Sequence, residues 1–157
     1  AVSLRVLATA TGTQGMVGGQ VLDIENEGKG VPLETLQHIH RWKTGALLRA
    51  SVEIGAILGG ATEQERARLV RFGEVIGLLF QIIDDILDVE GTAEQLGKTP
   101  GKDQSVGKVT YPALLGLAEA KRMAQSVKAE ALTILQELPR PLPRLAELAE
   151  FIHARVN

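Results

Sequence analysis

At 157 residues and a formal net charge of -2, the chain is long enough for one domain with a real core and carries no electrostatic footprint for nucleic acid. It contains no Cys, which excludes disulfides, thiolate metal sites and cysteine nucleophiles and fits a reducing compartment such as the cytoplasm. Its longest apolar runs, VIGLLF among them, fall far short of the roughly 20 residues that a membrane span requires.

The chain opens AVSLRV, without Met and already in helical pattern. No secretory signal pattern stands there, and the expectation is the middle of a longer polypeptide. Apolar spacing is helical almost throughout, and strand-like alternation with hairpin turns is missing, so an all-α domain is expected. A first helix is predicted over Leu4 to Ile24, Gly-rich across GTQGMVGGQ and therefore tolerant of close packing. ENEGKGV, Glu25 to Val31, is a turn. Pro32 suits the first helical position of a segment reaching Leu58, which Gly59 and Gly60 end. Thr62 followed by Glu65 reads as a capping box opening a helix over Glu63 to Val89. Glu90 to Val109 is a loop rich in Gly and Lys. Pro112 opens a helix that continues with one or more breaks to Leu138, PRPLPR is a linker, and Leu145 to Arg155 is a closing helix.

Within the helix over Glu63 to Val89, the stretch FQIIDDILDV places three of the chain's five Asp within five positions. At about 3.6 residues per turn, Gln81, Asp84, Asp85 and Asp88 fall within an arc of about 100°. Leu79, Phe80, Ile82, Ile83, Ile86 and Leu87 fill the rest of the circumference, the mark of a buried helix. The acidic stripe is therefore expected to face a cavity or a partner; the bland alternative is a solvated acidic face. Two carboxylates about 6 Å apart repel by roughly 3 kcal/mol at an effective dielectric near 20, so three beside an apolar body call for a cation. All-oxygen ligation selects a hard ion such as Mg²⁺, with Mn²⁺ as the substitute.

Positive groups complement this stripe. Lys43 and Thr44 lie in HRWKTGALLRA, and LGKTPGKDQSVGK offers Lys98, Lys102 and Lys108 with Gly97, Gly101 and Gly107 between them. Carboxylates, Mg²⁺ and lysines on one cavity are what binding a diphosphate requires, because the metal bridges anions that otherwise repel. The loop is not a Walker A element: Gly91 to Gly97 and Gly101 to Gly107 each enclose five residues instead of four, and no strand precedes them. His38 and His40 are two apart on a helix and face different directions, so they read as surface or core-edge residues and not as a ligand pair.

Taken together, GMVGGQVLDIE, HRWKTGALLRA, FQIIDDILDV and GKTPGKDQSVGKVTYPALLG resemble, in order, the motifs of the C-terminal half of the all-trans polyprenyl diphosphate synthase family. Their wording is closest to the geranylgeranyl and farnesyl diphosphate synthases. The resemblance implies about half of a helical bundle of the isoprenoid synthase type, residues 1–157 being the C-terminal part of that single domain. It implies a trans-prenyltransferase that joins isopentenyl diphosphate to an allylic diphosphate by ionisation, condensation and proton elimination. Carried over by position, Asp84, Asp85 and Asp88 would hold Mg²⁺, with Asp103 as a further contact from the loop. Lys43 and Lys98 would bind the diphosphate, Lys108 would assist from the loop, and Thr44 and Gln81 would stand near the developing cation. Gln20 and Asp23 would line the cavity. The full-length protein would be a homodimer.

One departure is large. The family carries two aspartate-rich motifs, whereas Asp23 and Asp103 are the only other Asp here and form no second cluster. The N-terminal half of the fold is expected to be absent, and the chain alone is expected to be inactive or nearly so. Two rival readings stay open: a non-catalytic partner subunit of such a synthase, and a fragment of a terpene cyclase. The intact DDxxD opposes the first, and the KTG segment with its lysine-bearing loop opposes the second.

Overall fold

A computed structural model describes residues 1–90 and 109–156. Every regular element among them is helical: α1 (Val2–Thr11), α2 (Met16–Glu25), α3 (Leu33–His40), a π-helical turn (Arg41–Gly45), α4 (Ala46–Leu58), α5 (Glu63–Glu90), α6 (Tyr111–Leu115), α7 (Leu117–Gln136) and α8 (Pro143–Ala154). The all-α expectation holds.

The helix predicted over Leu4 to Ile24 is in fact two. Gly12 closes α1 by donating its N–H to Ala8 O and Thr9 O at 3.1 and 3.2 Å. The chain then turns so tightly that a Cβ on Gly15 would lie 2.2 Å from Ala10 O. Apolar periodicity runs through this break, which is why spacing alone does not reveal it; glycine's steric freedom does. By contrast, α3, the π turn and α4 form the continuous segment expected after Pro32, which sits in extended conformation as the residue before the helix. The capping box forms as read: Glu65 N–H donates to Thr62 Oγ1 at 3.3 Å, and Thr62 N–H donates to Glu65 Oε2 at 2.7 Å. The predicted break beyond Pro112 falls at Gly116, whose φ of 82° suits glycine.

The 28-residue α5 is the axis of the molecule, about 42 Å long at 1.5 Å per residue. It packs along α4 on one side and α7 on the other, with α8 laid across α5 and α7. Phe72, Leu79, Ile82, Ile83 and Ile86 on α5 are wholly buried, together with Tyr111, Ala120, Ala131 and Ala149 from the elements around them. A smaller cluster of Ala10, Ala46 and Ala50 joins α1 to α4. Small residues let these helices approach until backbone meets backbone. A Cβ on Gly77 of α5 would lie 2.9 Å from Gly45 Cα, and one on Gly73 would lie 2.8 Å from Arg49 Cα.

Gly77→Ala should therefore destabilise the protein by about 1–3 kcal/mol through forced separation of the helices, despite alanine's better helix propensity. Gly55→Ala, where a Cβ meets nothing within 4 Å, should stabilise by about 0.5–1 kcal/mol. Urea denaturation followed by circular dichroism separates the two; shifts of the same sign would refute the backbone-contact account.

Candidate active site

Where α2, the π turn and α5 converge they enclose a cavity of about 270 Å³. Its polar wall includes Asp23, Glu27, Lys43, Thr44, Gln81, Asp84 and Asp85, and its apolar wall includes Leu36, Ile39, Phe80 and Val109. Local backbone geometry explains how these residues come together. Gly19 presses against the π turn so closely that a Cβ there would lie 2.2 Å from Lys43 N. That contact brings the next turn of α2 beside Lys43, whose Nζ donates to Asp23 Oδ2 at 2.6 Å. On the opposite side, the Gly45–Gly77 contact brings Thr44 beside Gln81, one turn along α5 from Gly77, and Thr44 Oγ1 donates to Gln81 Oε1 at 3.1 Å. The π turn itself, a single wide turn inside a continuous helix, is a deviation found most often at functional sites, and it presents both Lys43 and Thr44 to the cavity.

The acidic motif is divided by depth. Asp84 is half-buried and faces the cavity. Asp85, 5% exposed, also lies on the wall and accepts a hydrogen bond at Oδ2 from Tyr111 N–H at 2.9 Å. Asp88, 2% exposed, lies one turn further along α5 and outside the cavity lining. Burial, and after it the Asp85 carboxylate, push the Tyr111 phenol well above its ordinary range, against the opposing influence of Arg41. The phenol therefore stays protonated at any working pH.

Of the residues expected to serve the site, Asp23, Lys43, Thr44, Gln81, Asp84 and Asp85 meet in this one cavity. Gln20 is exposed on α2 and stands outside the lining. Lys98, Lys102, Asp103 and Lys108 lie outside the described residues. His38 is exposed, its ring 4.6 Å from that of Trp42, while His40 turns inward against Tyr111 at 5.5 Å. The two histidines do face different directions. Tyr111 went unremarked in the sequence, although it is the chain's only Tyr.

Among the described residues no three His, Asp or Glu side chains gather into a self-sufficient metal site. Asp84 and Asp85 nonetheless fit a hard divalent cation of the Mg²⁺ kind, which takes one or two carboxylates and completes its shell with water and phosphate oxygens. An all-oxygen pair facing a lysine across a small cavity is a site that an anionic substrate would complete.

Comparison with known proteins identifies the family. A family model described as polyprenyl synthetase matches residues 3–154. The chloroplastic geranylgeranyl pyrophosphate synthase of Capsicum annuum is 52% identical over 153 residues, covering 96% of this chain and 42% of that protein. Farnesyl diphosphate synthase of Escherichia coli (strain K12) is 46% identical over 153 residues, covering 95% of this chain and 51% of that protein. Among solved structures, geranyltransferase from Helicobacter pylori complexed with magnesium and isoprenyl diphosphate aligns with a TM-score of 0.81 at 36% identity, over 96% of this chain and 49% of that one. The chain thus spans about half the length of the curated relatives it matches. With its fold, its motifs in order and a family match across nearly its whole length, the chain belongs to the polyprenyl synthetase family.

Proposed function

We propose that this chain supplies the allylic-diphosphate side of a trans-prenyltransferase, which condenses isopentenyl diphosphate with an allylic diphosphate. The observation that carries this reading is the meeting of Lys43, Thr44, Gln81, Asp84 and Asp85 on one small cavity with an apolar wall. The names of the relatives support it, as does the magnesium and isoprenyl diphosphate bound by the Helicobacter pylori geranyltransferase.

In the reaction the allylic carbon–oxygen bond breaks and diphosphate departs with the electron pair. The double bond of isopentenyl diphosphate then attacks the allylic carbon, and a proton is lost from the resulting cation. Mg²⁺ or Mn²⁺ would be held by Asp84 and Asp85 on the cavity wall, with Asp88, one turn further along α5, and Asp103, outside the described residues, as the further proposed ligands, and would neutralise charge on the leaving diphosphate. Lys43 contributes a charge-assisted hydrogen bond to the same group, exchanging Asp23 for a phosphate oxygen. Lys98 and Lys108, which lie outside the described residues, would add positive charge. Thr44 donates its proton to Gln81, so its oxygen lone pairs remain for the positive charge developing on the allyl group. Leu36, Ile39 and Phe80 keep water from the cation.

The chain holds a single aspartate-rich cluster, and we infer that on its own it binds the allylic diphosphate without turning it over. Its lack of Cys supports a cytoplasmic setting, and no helix among the described residues is long and apolar enough to cross a membrane. The exposed Leu4, Leu7 and Ile24 of α1 and α2 support homodimer formation by the full-length protein, which sedimentation of that protein would test.

Calorimetric titration with a bisphosphonate should show binding that depends on Mg²⁺. Asp84→Asn and Lys43→Ala should each weaken it by about 10- to 100-fold, the loss of one charge-assisted contact. Variants that bind as the wild type does would sink the assignment. Incorporation of labelled isopentenyl diphosphate by the purified 157-residue chain should be undetectable; measurable product would contradict the half-site reading.

A further inference from the structure

The proposed metal-binding carboxylates sit near the end of α5, and the described chain resumes at Val109. What fixes its return against the acidic motif is legible in the donors of the first turn of α6. Such donors have no partner within the helix and must find one elsewhere. Ala113 N–H is satisfied by Thr110 Oγ1 at 3.3 Å, and Leu114 N–H makes the first ordinary helical bond, to Thr110 O at 3.1 Å. Pro112 has no N–H. The remaining donor, Tyr111 N–H, reaches across to Asp85 Oδ2 at 2.9 Å, a contact between residues 26 apart in sequence.

The side chain behind that N–H is anchored too. Tyr111 is wholly buried, it belongs to the main core cluster, which also contains Ile82, Ile83 and Ile86, and its ring stands 5.5 Å from that of His40. Its hydroxyl has no hydrogen-bond partner among the described residues. Burial of an unpaired hydroxyl is unfavourable, so what holds the residue in place is the ring and the backbone N–H.

We propose that Tyr111 is a positioning residue for the acidic motif: its core-anchored ring and backbone N–H hold the Asp85 carboxylate in the orientation in which it joins Asp84 on the cavity wall. The proposal rests on the diphosphate-site reading for its consequence in binding, but the clamp between Tyr111 and Asp85 stands on geometry alone. Tyr111→Phe keeps both the ring and the N–H, and so keeps the clamp. Tyr111→Ala removes the ring that fixes the N–H. Asp85→Asn keeps an acceptor oxygen for Tyr111, whereas Asp85→Ala removes it.

Two readouts test this in the same protein. In bisphosphonate titrations, the Mg²⁺ concentration giving half-maximal binding should rise at least about tenfold in Tyr111→Ala and stay within about twofold of wild type in Tyr111→Phe, a tenfold change matching one lost hydrogen bond to a charged group. In residue-resolved hydrogen exchange without ligand, the Tyr111 amide should lose at least about tenfold of its protection in Asp85→Ala and keep it in Asp85→Asn. Unchanged protection in Asp85→Ala would overturn the clamp, and this arm holds even if Tyr111→Ala fails to fold. Equal weakening in Tyr111→Phe and Tyr111→Ala would assign the effect to the hydroxyl and overturn the proposal as well. Wild-type binding that ignores Mg²⁺ would instead remove the functional reading, leaving the exchange result to decide the clamp.

Discussion

Helix backbones in contact at glycine are the constraint on which the rest of this structure depends. Gly19 of α2 abuts the backbone of Lys43, and Gly77 of α5 abuts Gly45. Side chains at either contact would drive the helices apart, since packed interiors have little room to yield. With the contacts made, α2 and α5 flank the π turn so closely that Asp23 reaches Lys43 and Gln81 reaches Thr44. The site's polar geometry is thus a consequence of where side chains are missing.

The charges around the cavity fit this rigid frame. Asp84 and Asp85 are neighbours on a helix whose remaining circumference is mostly buried and apolar, so their repulsion is poorly relieved by solvent. The opposing ammonium of Lys43 is already committed to Asp23 at 2.6 Å. Both ends of that ion pair keep part of their surface in water, with side-chain exposures of 31% and 22%. Its net contribution to stability is accordingly modest, and exchanging the carboxylate for a phosphate oxygen is an affordable step. A diphosphate with its divalent cation would relieve the acidic wall and engage the lysine at once. The apolar wall beside them suits the chain that a diphosphate of this class carries.

Much of this was legible in the sequence, for physical reasons that differ by element. The capping box at Thr62 and Glu65 and the helix it opens through the acidic motif follow from local chemistry and 3.6-residue periodicity, and both are as read. The stripe of Gln81, Asp84, Asp85 and Asp88 follows from the same periodicity, although only the first three line the cavity, because angular position on a helix does not say how far along its axis a cavity extends. Three features were not legible. The break at Gly12 to Gly15 interrupts the backbone without disturbing the apolar pattern. The π turn at Arg41–Gly45 depends on packing against α2 and α5, and nothing in RWKTG announces it. The hydrogen bond from Tyr111 to Asp85 joins residues 26 apart, and periodicity carries no information about partners so distant. Gln20 shows the converse limit: it belongs to a recognisable motif, yet the face of α2 that carries it is exposed.

The central claim is that Lys43 and Asp84 act on one bound diphosphate from two walls of a single cavity. A double-mutant cycle on bisphosphonate affinity in the presence of Mg²⁺ tests it most directly, using Lys43→Ala, Asp84→Asn and the pair combined. If both side chains grip the same group, the double variant should lose at least about threefold less affinity than the product of the single losses, as coupled sites do. Losses that multiply to within about twofold, the behaviour of independent sites, would contradict the account.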